Sequence, residues 1–235
     1  MSKCGLKSKD QCRCDQPMMD GPDPQTCLWV VGASGSGKTR FTVNTLLHKD
    51  SPWHDIFIIC SKMSCDQKEY KRLKECYKRG KVHMIKGAPE DNESEEELME
   101  EIKKSKTPVV VMDDLLADMK GGRGQKMIQK LMTQGRHLGE HGCGRIVCVQ
   151  HIGDRVSRLQ AGMFALFATP SSADAVAHLA RGLSPESKGA RVMKAYRDAT
   201  SDRYGYLLVD ARPGARHMMK KSSWHNVYDF SPLAE

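Results

Sequence analysis

The sequence predicts an α/β fold, with a mostly parallel central sheet that is covered by helices on both faces. Short apolar runs alternate with segments whose apolar residues recur at helical spacing, and this alternation is typical of parallel sheets. A glycine-rich segment joins the first apolar run to the first helical segment, and a later apolar run ends in two acidic residues. The 235 residues suffice for one such domain with a substantial core.

Each element is indicated by its own local pattern. Seven apolar runs have the content of buried strands, namely 27–31, 54–60, 81–85, 107–112, 145–150, 163–168 and 204–210. Six segments have helical periodicity, namely 40–48, 66–79, 96–104, 126–138, 171–180 and 186–196. The sequence has no internal repeat and no sign of a second domain. We divide the chain into a flexible polar arm (1–25), one main domain (26–212) and a basic C-terminal extension of that domain (213–235).

The composition predicts a soluble protein with a polyanionic partner. Hydrophobic residues make up 39% of the chain and charged residues 28%, which is ordinary for a soluble protein. No apolar run approaches the roughly 20 residues that span a membrane, and residues 1–10 lack the apolar core of a signal peptide. We therefore expect an intracellular protein without a membrane partner. The net charge of +8 favours a polyanionic partner, although a generally basic surface would give the same charge.

The cysteines favour a reducing compartment. Their number is nine, which is odd, and they are spread over predicted strands and helices, as expected of reduced thiols. Cys4, Cys12 and Cys14 cluster in the polar arm, but their spacing matches no familiar zinc template. We interpret them as free thiols, with a metal site as the alternative.

A phosphate-binding loop follows the first predicted strand. Residues 32–39 read G-A-S-G-S-G-K-T, which matches G-x-x-x-x-G-K-[ST] in the strand–loop–helix context that this motif requires. We expect Lys38 to reach the β- and γ-phosphates of a nucleotide and the Thr39 hydroxyl to bind Mg²⁺. The residues predicted to bind the nucleotide are Gly32, Ala33, Ser34, Gly35, Ser36, Gly37, Lys38, Thr39 and Arg40.

Polar residues also end two later strands. Asp113 and Asp114 follow the run that begins at Val109, and Gln150 ends the next predicted strand. In an open parallel sheet, the carboxyl ends of the strands form the ligand-binding edge. We expect Asp113 to hold Mg²⁺, directly or through water, Asp114 to polarise the attacking water, and Gln150 to contact both that water and the γ-phosphate.

The motifs together resemble those of the poxvirus-type viral genome-packaging ATPases of the FtsK–HerA superfamily. The resemblance covers roughly residues 26–210 and includes the phosphate loop, the strand ending in Asp113 and Asp114, Gly135-Arg136-His137, the strand ending in Gln150 and the strand 204–210. It implies a P-loop NTPase of the RecA-like type, in which an additional strand separates the phosphate-loop strand from the acidic strand. The two strand–helix units predicted between Thr39 and Asp113 agree with that type.

The resemblance also implies a function and partners. Such a protein would be a homo-oligomeric ring of about five or six subunits. It would hydrolyse ATP with Mg²⁺ and pump double-stranded DNA into a preformed capsid, with capsid proteins as further partners. It would act in the host-cell cytoplasm or nucleus where virions assemble, or within the virion. Lys38, Asp113, Asp114 and Gln150 fall on the family's catalytic positions.

An arginine and two basic segments are further candidates. Arg136 falls on the family's Arg-His pair and is our first candidate for an arginine that reaches a neighbour's ATP; the others are Arg145, Arg155 and Arg158. The glycine-rich segment 121–124 is a candidate DNA-contacting pore loop, and the basic segment 215–225 a candidate DNA or capsid contact. Surface loops and solvated charges would have the same sequence.

Three other functions share the phosphate loop. A small-molecule or nucleoside kinase fits the length, although the strand-end Gln150 and the pI of about 9.0 argue against it. A switch GTPase would need a guanine motif, and residues 118–121 match its D-x-x-G element only superficially. A non-enzymatic assembly protein would not need Lys38, Asp113 and Gln150 together. Another FtsK–HerA-type DNA translocase, unconnected with packaging, would have the same motifs.

Overall fold

The structure is a computed structural model that describes most of the chain. The described residues are 21–61, 64–89, 91–115, 123–150, 161–169, 173–183, 189–214 and 219–223. Residues 1–20 of the polar arm, with Cys4, Cys12 and Cys14, lie outside them, as do Arg155, Arg158 and residues 118–122.

The described residues form one eight-stranded sheet flanked by six α-helices. The strands are β1 (Cys27–Val31), β2 (Asp55–Cys60), β3 (Val82–Lys86), β4 (Pro108–Asp113), β5 (Gly144–Val149), β6 (Met163–Phe167), β7 (Tyr206–Asp210) and β8 (Met219–Lys221). The helices are α1 (Lys38–Leu47), α2 (Lys68–Cys76), α3 (Asn92–Lys104), α4 (Arg123–Gln134), α5 (Ala173–Leu183) and α6 (Ala190–Ala199).

The strand order is β3-β2-β4-β5-β1-β6-β7-β8. The six strands from β3 to β6 in this order are parallel, whereas β7 pairs antiparallel with β6 and β8 antiparallel with β7. The sheet is thus mostly parallel, as predicted. β5 lies between the phosphate-loop strand β1 and the acidic strand β4, which is the additional-strand arrangement expected from the sequence.

The core lies on both faces of the sheet. Alternate residues of β1 point to opposite sides: Trp29 packs in one buried cluster, and Leu28 and Val30 pack in the other. The first cluster includes residues of α3, α4, α5 and α6, and the second includes residues of α1 and α2. Because both faces are covered, the central strands read as near-continuous apolar runs rather than as alternating ones.

One predicted helix ends earlier than expected, and one observed strand was not predicted. The predicted helix 126–138 ends instead at Gln134, and Gly135–His137 form a 3₁₀ turn. Glycine is a poor helix former, and a Cβ at Gly135 would stand 2.6 Å from Arg145 Cδ. The short strand β8 in the C-terminal extension was not predicted, because three residues of sequence Met-Lys-Lys have no periodicity to detect.

Two further observations concern the cysteines and the membrane. The six cysteines among the described residues, Cys27, Cys60, Cys65, Cys76, Cys143 and Cys148, are free thiols. None of the helices in the described ranges combines the length and the apolar character that a bilayer crossing requires.

Candidate nucleotide-binding site

The phosphate loop leaves β1 at the carboxyl edge of the sheet. The Gly32 N–H donates to Val149 O at 3.1 Å and the Ala33 N–H donates to Ala168 O at 3.4 Å, so the start of the loop is tied to the ends of β5 and β6. A Cβ at Gly32 would stand 2.6 Å from the Cβ of Phe167. The close approach of these strands therefore requires glycine at this position.

Two further glycines give the loop its curvature. Gly35 has φ 74° and Gly37 has φ 103°, both in the left-handed region that favours glycine. Gly37 directly precedes α1, so the loop ends at a helix N-terminus, where backbone N–H groups and the helix dipole favour an anion. Ser34, Gly35 and Arg40 are exposed, so the loop is open to solvent.

Lys38 lies against the inner side of this loop. Its Nζ donates to Gly32 O at 2.7 Å and to Ala33 O at 2.9 Å. Burial lowers the pKa of the ammonium, while the negative charges of Asp113 and Asp114 act in the opposite direction. The backbone of the phosphate loop therefore positions the lysine, and the two together would bind phosphate.

Asp113 ends β4 and is almost fully buried beside α1 and α2. Its Oδ2 accepts hydrogen bonds from Thr39 Oγ1 at 3.2 Å and from Tyr70 OH at 2.5 Å. Burial raises the pKa of the Asp113 carboxyl, and the hydrogen bonds from Tyr70 and Thr39 act in the opposite direction. Burial also raises the pKa of the Tyr70 hydroxyl, which keeps it a donor.

The pair of Thr39 and Asp113 fits a magnesium ion. Mg²⁺ prefers oxygen ligands, keeps several waters and is bound in proteins by one or two carboxylates together with substrate phosphates. A hydroxyl and a carboxylate oxygen within 3.2 Å of each other at the phosphate loop supply that donor set. Within the described ranges, no group of three or more His, Cys, Asp or Glu side chains could hold a metal by itself.

Asp114 and Gln150 meet beside this pair. Gln150 Nε2 donates to Asp114 Oδ1 at 3.3 Å. The Asp114 N–H donates to Cys148 O at 3.3 Å, which ties the end of β4 to β5. Asp114 has φ 55°, a backbone conformation that aspartate tolerates better than bulkier residues do. The structure thus brings together the second acid and the strand-end glutamine, which are 36 residues apart in the sequence.

Tyr70 is a site residue that our sequence reasoning missed. It lies in the charged helix α2 and is fully buried with its hydroxyl on Asp113. The spacing of Tyr70, Leu73 and Tyr77 gives the predicted helix 66–79 an apolar stripe, so burial of Tyr70 could have been predicted. Its hydrogen-bond partner could not, because the contact joins residues 43 positions apart.

The two candidate arginines within the described residues, Arg136 and Arg145, are not at this site. Arg136 is exposed in the 3₁₀ turn, where its Nε lies 3.0 Å from His137 Nε2. Its carbonyl lies close to Gly142, just before β5, so Arg136 is at the amino edge of the sheet. Arg145 is only 5% exposed at the start of β5, and its Nη2 donates to Gln25 O at 3.0 Å. This burial removes Arg145 as a group that could reach a neighbour's nucleotide; Arg136 stays a prediction.

Other predicted contacts are only partly covered by the structure. Residues 121–122 of the predicted pore loop lie outside the described residues, and 123–124 begin α4. Of the basic segment 215–225, the described part includes β8, in which Lys220 is buried and Lys221 donates to Asp198. The DNA contacts of both segments remain predictions.

Comparisons with known proteins bear on this fold. No protein-family model matches the chain, and no curated protein matches it. The chain is similar to the genome packaging NTPase B204 from Sulfolobus turreted icosahedral virus 2 in complex with AMP, with 19% identity and a TM-score of 0.53 over 80% of this chain and 94% of that one. It is similar to the DNA-packaging ATPase B204 from Sulfolobus Turreted Icosahedral Virus, with 18% identity and a TM-score of 0.54 over 82% of this chain and 94% of that one.

A third structure gives the same result. The packaging NTPase B204 in complex with sulfate has 19% identity and a TM-score of 0.54, over 84% of this chain and 95% of that chain. These likenesses extend over nearly the whole of the other proteins, and they are likenesses of fold. The chain therefore has the α/β fold of a P-loop NTPase, with a mostly parallel central sheet.

Proposed function

We propose that this chain is the ATP-hydrolysing motor subunit that moves double-stranded DNA into a viral capsid. The observation that carries the hydrolytic part is the contact between Gln150 and Asp114, beside the pair of Thr39 and Asp113. A protein that only binds a nucleotide needs a phosphate loop, whereas hydrolysis also needs groups that position water. The packaging part is supported by the fold likeness to B204.

The residues have distinct roles in this proposal. Lys38 binds the β- and γ-phosphates, to which its ammonium is directed by the carbonyls of Gly32 and Ala33. Thr39 and Asp113 would hold Mg²⁺, which supplies positive charge to the phosphate oxygens. The buried Tyr70 hydroxyl keeps the Asp113 carboxylate in one orientation.

Asp114 and Gln150 act on the attacking water. The Gln150 amide donates to Asp114 through Nε2, so its carbonyl oxygen is turned to accept a hydrogen bond from that water. The Asp114 carboxylate takes a proton from the water as the water oxygen bonds to the γ-phosphorus, and the bond from that phosphorus to the β-phosphate oxygen breaks, so that ADP leaves. Gln150 directly follows β5, which pairs with β1. Gain or loss of the contact between Gln150 and the γ-phosphate would therefore act on the end of β5.

The motor part needs a ring. In a homo-oligomeric ring of about five or six subunits, Arg136 would stabilise the transition-state charge on the ATP of a neighbour. Binding and loss of ATP would then give each subunit two sets of contacts that can be coupled to movement of DNA. Basic side chains would bind DNA phosphates, which carry no sequence information. Capsid proteins would anchor the ring at the site of virion assembly.

The test is ATP hydrolysis by the purified chain, measured with and without long double-stranded DNA. We expect DNA to raise the rate severalfold and rising salt to reverse this increase. Lys38→Ala should lower the rate about 100-fold or more. Lys104→Ala, which removes an exposed lysine at the end of α3, is the matched control and should leave the rate unchanged.

Two outcomes would contradict the proposal. Hydrolysis that ignores DNA but requires a small phosphate acceptor would assign the site to a kinase. Tight ATP binding without turnover, in the presence of DNA and at concentrations that form a ring, would assign it to a structural nucleotide.

A further inference from the structure

An exposed aromatic side chain lies at the carboxyl edge without a role in the site described above. Tyr204 is in the segment between α6 and β7 and is 52% exposed, more than any other large hydrophobic residue in the described ranges. Single exposed hydrophobic residues are common on protein surfaces. The position and the backbone of Tyr204 are what set it apart.

Topology places this segment beside the phosphate loop. β7 runs antiparallel to β6, with Tyr206 opposite Phe167, so the residues that enter β7 lie where β6 ends. A Cβ at Gly37 would stand 3.4 Å from Tyr204 Cδ1 and 3.8 Å from Tyr204 Cβ. The tyrosine ring therefore lies against the last glycine of the loop, next to Lys38.

The backbone of this segment is fixed in an unusual conformation. Tyr204 has φ 67°, which for a bulky residue persists only where the surroundings determine it and which is concentrated at functional sites. The next residue, Gly205, donates from its N–H to Asp202 O at 2.9 Å, and a Cβ there would stand 2.2 Å from Ala199 O. The turn that carries Tyr204 therefore packs closely against the end of α6.

A cationic group lies over the Tyr204 ring, and an aromatic cluster is formed by the neighbouring Tyr206. The Arg203 guanidinium carbon lies 5.0 Å from the centroid of the Tyr204 ring, within cation–π distance. Nearby, the rings of Phe41 and Phe167 each pack on Tyr206, at 4.8 Å and 5.0 Å between centroids. The exposed Tyr204 ring thus lies at one end of the phosphate loop, with the Arg203 guanidinium over the ring and an aromatic cluster two residues further along the chain.

We propose that Tyr204 is the stacking platform for the nucleobase of the nucleotide whose phosphates bind at Lys38. This inference rests on the proposed nucleotide-binding function and adds the subsite that binds the base. Every nucleobase has a π-face, so a tyrosine platform contributes affinity without selecting one base. ATP and GTP should therefore both depend on Tyr204, and the phosphate chain alone should not.

The experiment compares three ligands and three forms of the full chain. Binding of ATP, GTP and inorganic tripolyphosphate, each with Mg²⁺, is measured by calorimetry for the wild type, Tyr204→Ala and Tyr204→Phe. We expect Tyr204→Ala to weaken ATP and GTP about tenfold and to leave tripolyphosphate unchanged. Tyr204→Phe keeps the ring and should bind all three ligands as the wild type does.

Three results would overturn the inference. Unchanged ATP affinity in Tyr204→Ala would mean that the base lies elsewhere. An equal loss for ATP and tripolyphosphate would mean that Tyr204 supports the phosphate loop instead of the base. A loss of ATP binding in Tyr204→Phe would mean that the hydroxyl, and not the ring, contacts the ligand. Separately, a wild type that binds neither ATP nor tripolyphosphate would overturn the nucleotide-binding function itself, and the platform with it.

Discussion

The two edges of the central sheet differ in how their polar and charged side chains are arranged. At the carboxyl edge, four polar side chains lie close to Lys38 of the phosphate loop, namely those of Thr39, Asp113, Asp114 and Gln150. At the amino edge, Arg212 forms ion pairs with Asp210 at 2.6 Å and Asp23 at 3.1 Å. The first edge gathers groups that can act on a ligand, whereas the second pairs its charges within the chain.

The amino edge also contains a buried cation and a cavity. A cavity of about 470 Å³ is bordered by Arg145, Arg212 and His141. Among the described residues, the Nε and Nη1 groups of Arg145 have no hydrogen-bond partner. Burial raises the pKa of the adjacent Cys27 thiol to about 11, and the Arg145 charge acts in the opposite direction. Cys27 and Arg145 pack against each other where β1 and β5 begin.

The difference teaches where substitutions should act. Changes at the carboxyl-edge residues beside the phosphate loop, such as Asp113, should alter hydrolysis more than stability. Changes at the packed groups of the amino edge, such as Arg145, should alter stability more than hydrolysis. The four predictions that follow test this separation, from the largest expected effect to the smallest.

Asp113→Asn should have the largest effect. It removes the negative charge that would hold Mg²⁺, so we expect ATP hydrolysis to fall about 1,000-fold. The asparagine oxygen can still accept from Tyr70 and Thr39, and burial disfavours the charge of the native carboxylate. Thermal unfolding should therefore occur at the same or a higher temperature. A variant that is both inactive and clearly less stable would show that Asp113 is mainly a structural residue.

Tyr70→Phe should give the next largest effect. It removes one hydroxyl that orients Asp113 and keeps the ring in the core, so we expect the hydrolysis rate to fall about tenfold, with a higher Mg²⁺ requirement. Titration of the rate with Mg²⁺ measures both quantities.

The control for Tyr70 is a second buried tyrosine hydroxyl on the same side of the sheet. Tyr77 donates to Trp53 O at 2.7 Å and to His54 O at 3.0 Å, away from the nucleotide site. Tyr77→Phe should lower the free energy of unfolding by about 1 kcal/mol and leave the rate unchanged. Equal effects of the two substitutions on the rate would contradict a special role of Tyr70.

These two tyrosines also show what sequence reasoning can reach. Strand, loop and helix are adjacent in the sequence at the phosphate loop, so Lys38 and Thr39 were predictable from a local motif. The location of Asp113 and Gln150 at one edge of the sheet was predictable because parallel strands bring their carboxyl ends to one edge. The bond from Tyr70 to Asp113 depends on how α2 packs on β4, which no local pattern encodes.

The same limit explains the other differences. The end of α4 depends on a contact between Gly135 and Arg145, which are on different elements. The platform residue Tyr204 lies in a predicted strand, and only the three-dimensional structure places it beside Gly37. The role of Arg136 was taken from a family resemblance and involves a neighbouring subunit, so a single chain does not test it.

Arg145→Met should affect stability alone. The methionine removes the buried Nε and Nη1 groups, which have no partners among the described residues, and also the hydrogen bond from Nη2 to Gln25 O. Because two unpaired buried groups are removed for one hydrogen bond lost, the free energy of unfolding should rise by about 1–2 kcal/mol. ATP hydrolysis should stay at the wild-type rate. Denaturant unfolding and the rate assay check the two parts. A marked loss of stability would mean that the hydrogen bond from Arg145 Nη2 to Gln25 O outweighs the cost of the two unpaired groups.

Asp91→Ala should have the smallest effect. It tests whether a residue at the carboxyl edge, but far from the phosphate loop, affects hydrolysis. Asp91 follows the outermost strand β3 and caps α3, where its Oδ1 accepts from Ser94 N at 2.7 Å. Loss of this cap should lower the free energy of unfolding by about 1 kcal/mol. Hydrolysis should not change, because Asp91 lies beyond β2, away from the strands that carry the site. If Asp91→Ala instead lowered the rate without lowering stability, the residues that act in hydrolysis would extend along the carboxyl edge as far as the outermost strand β3.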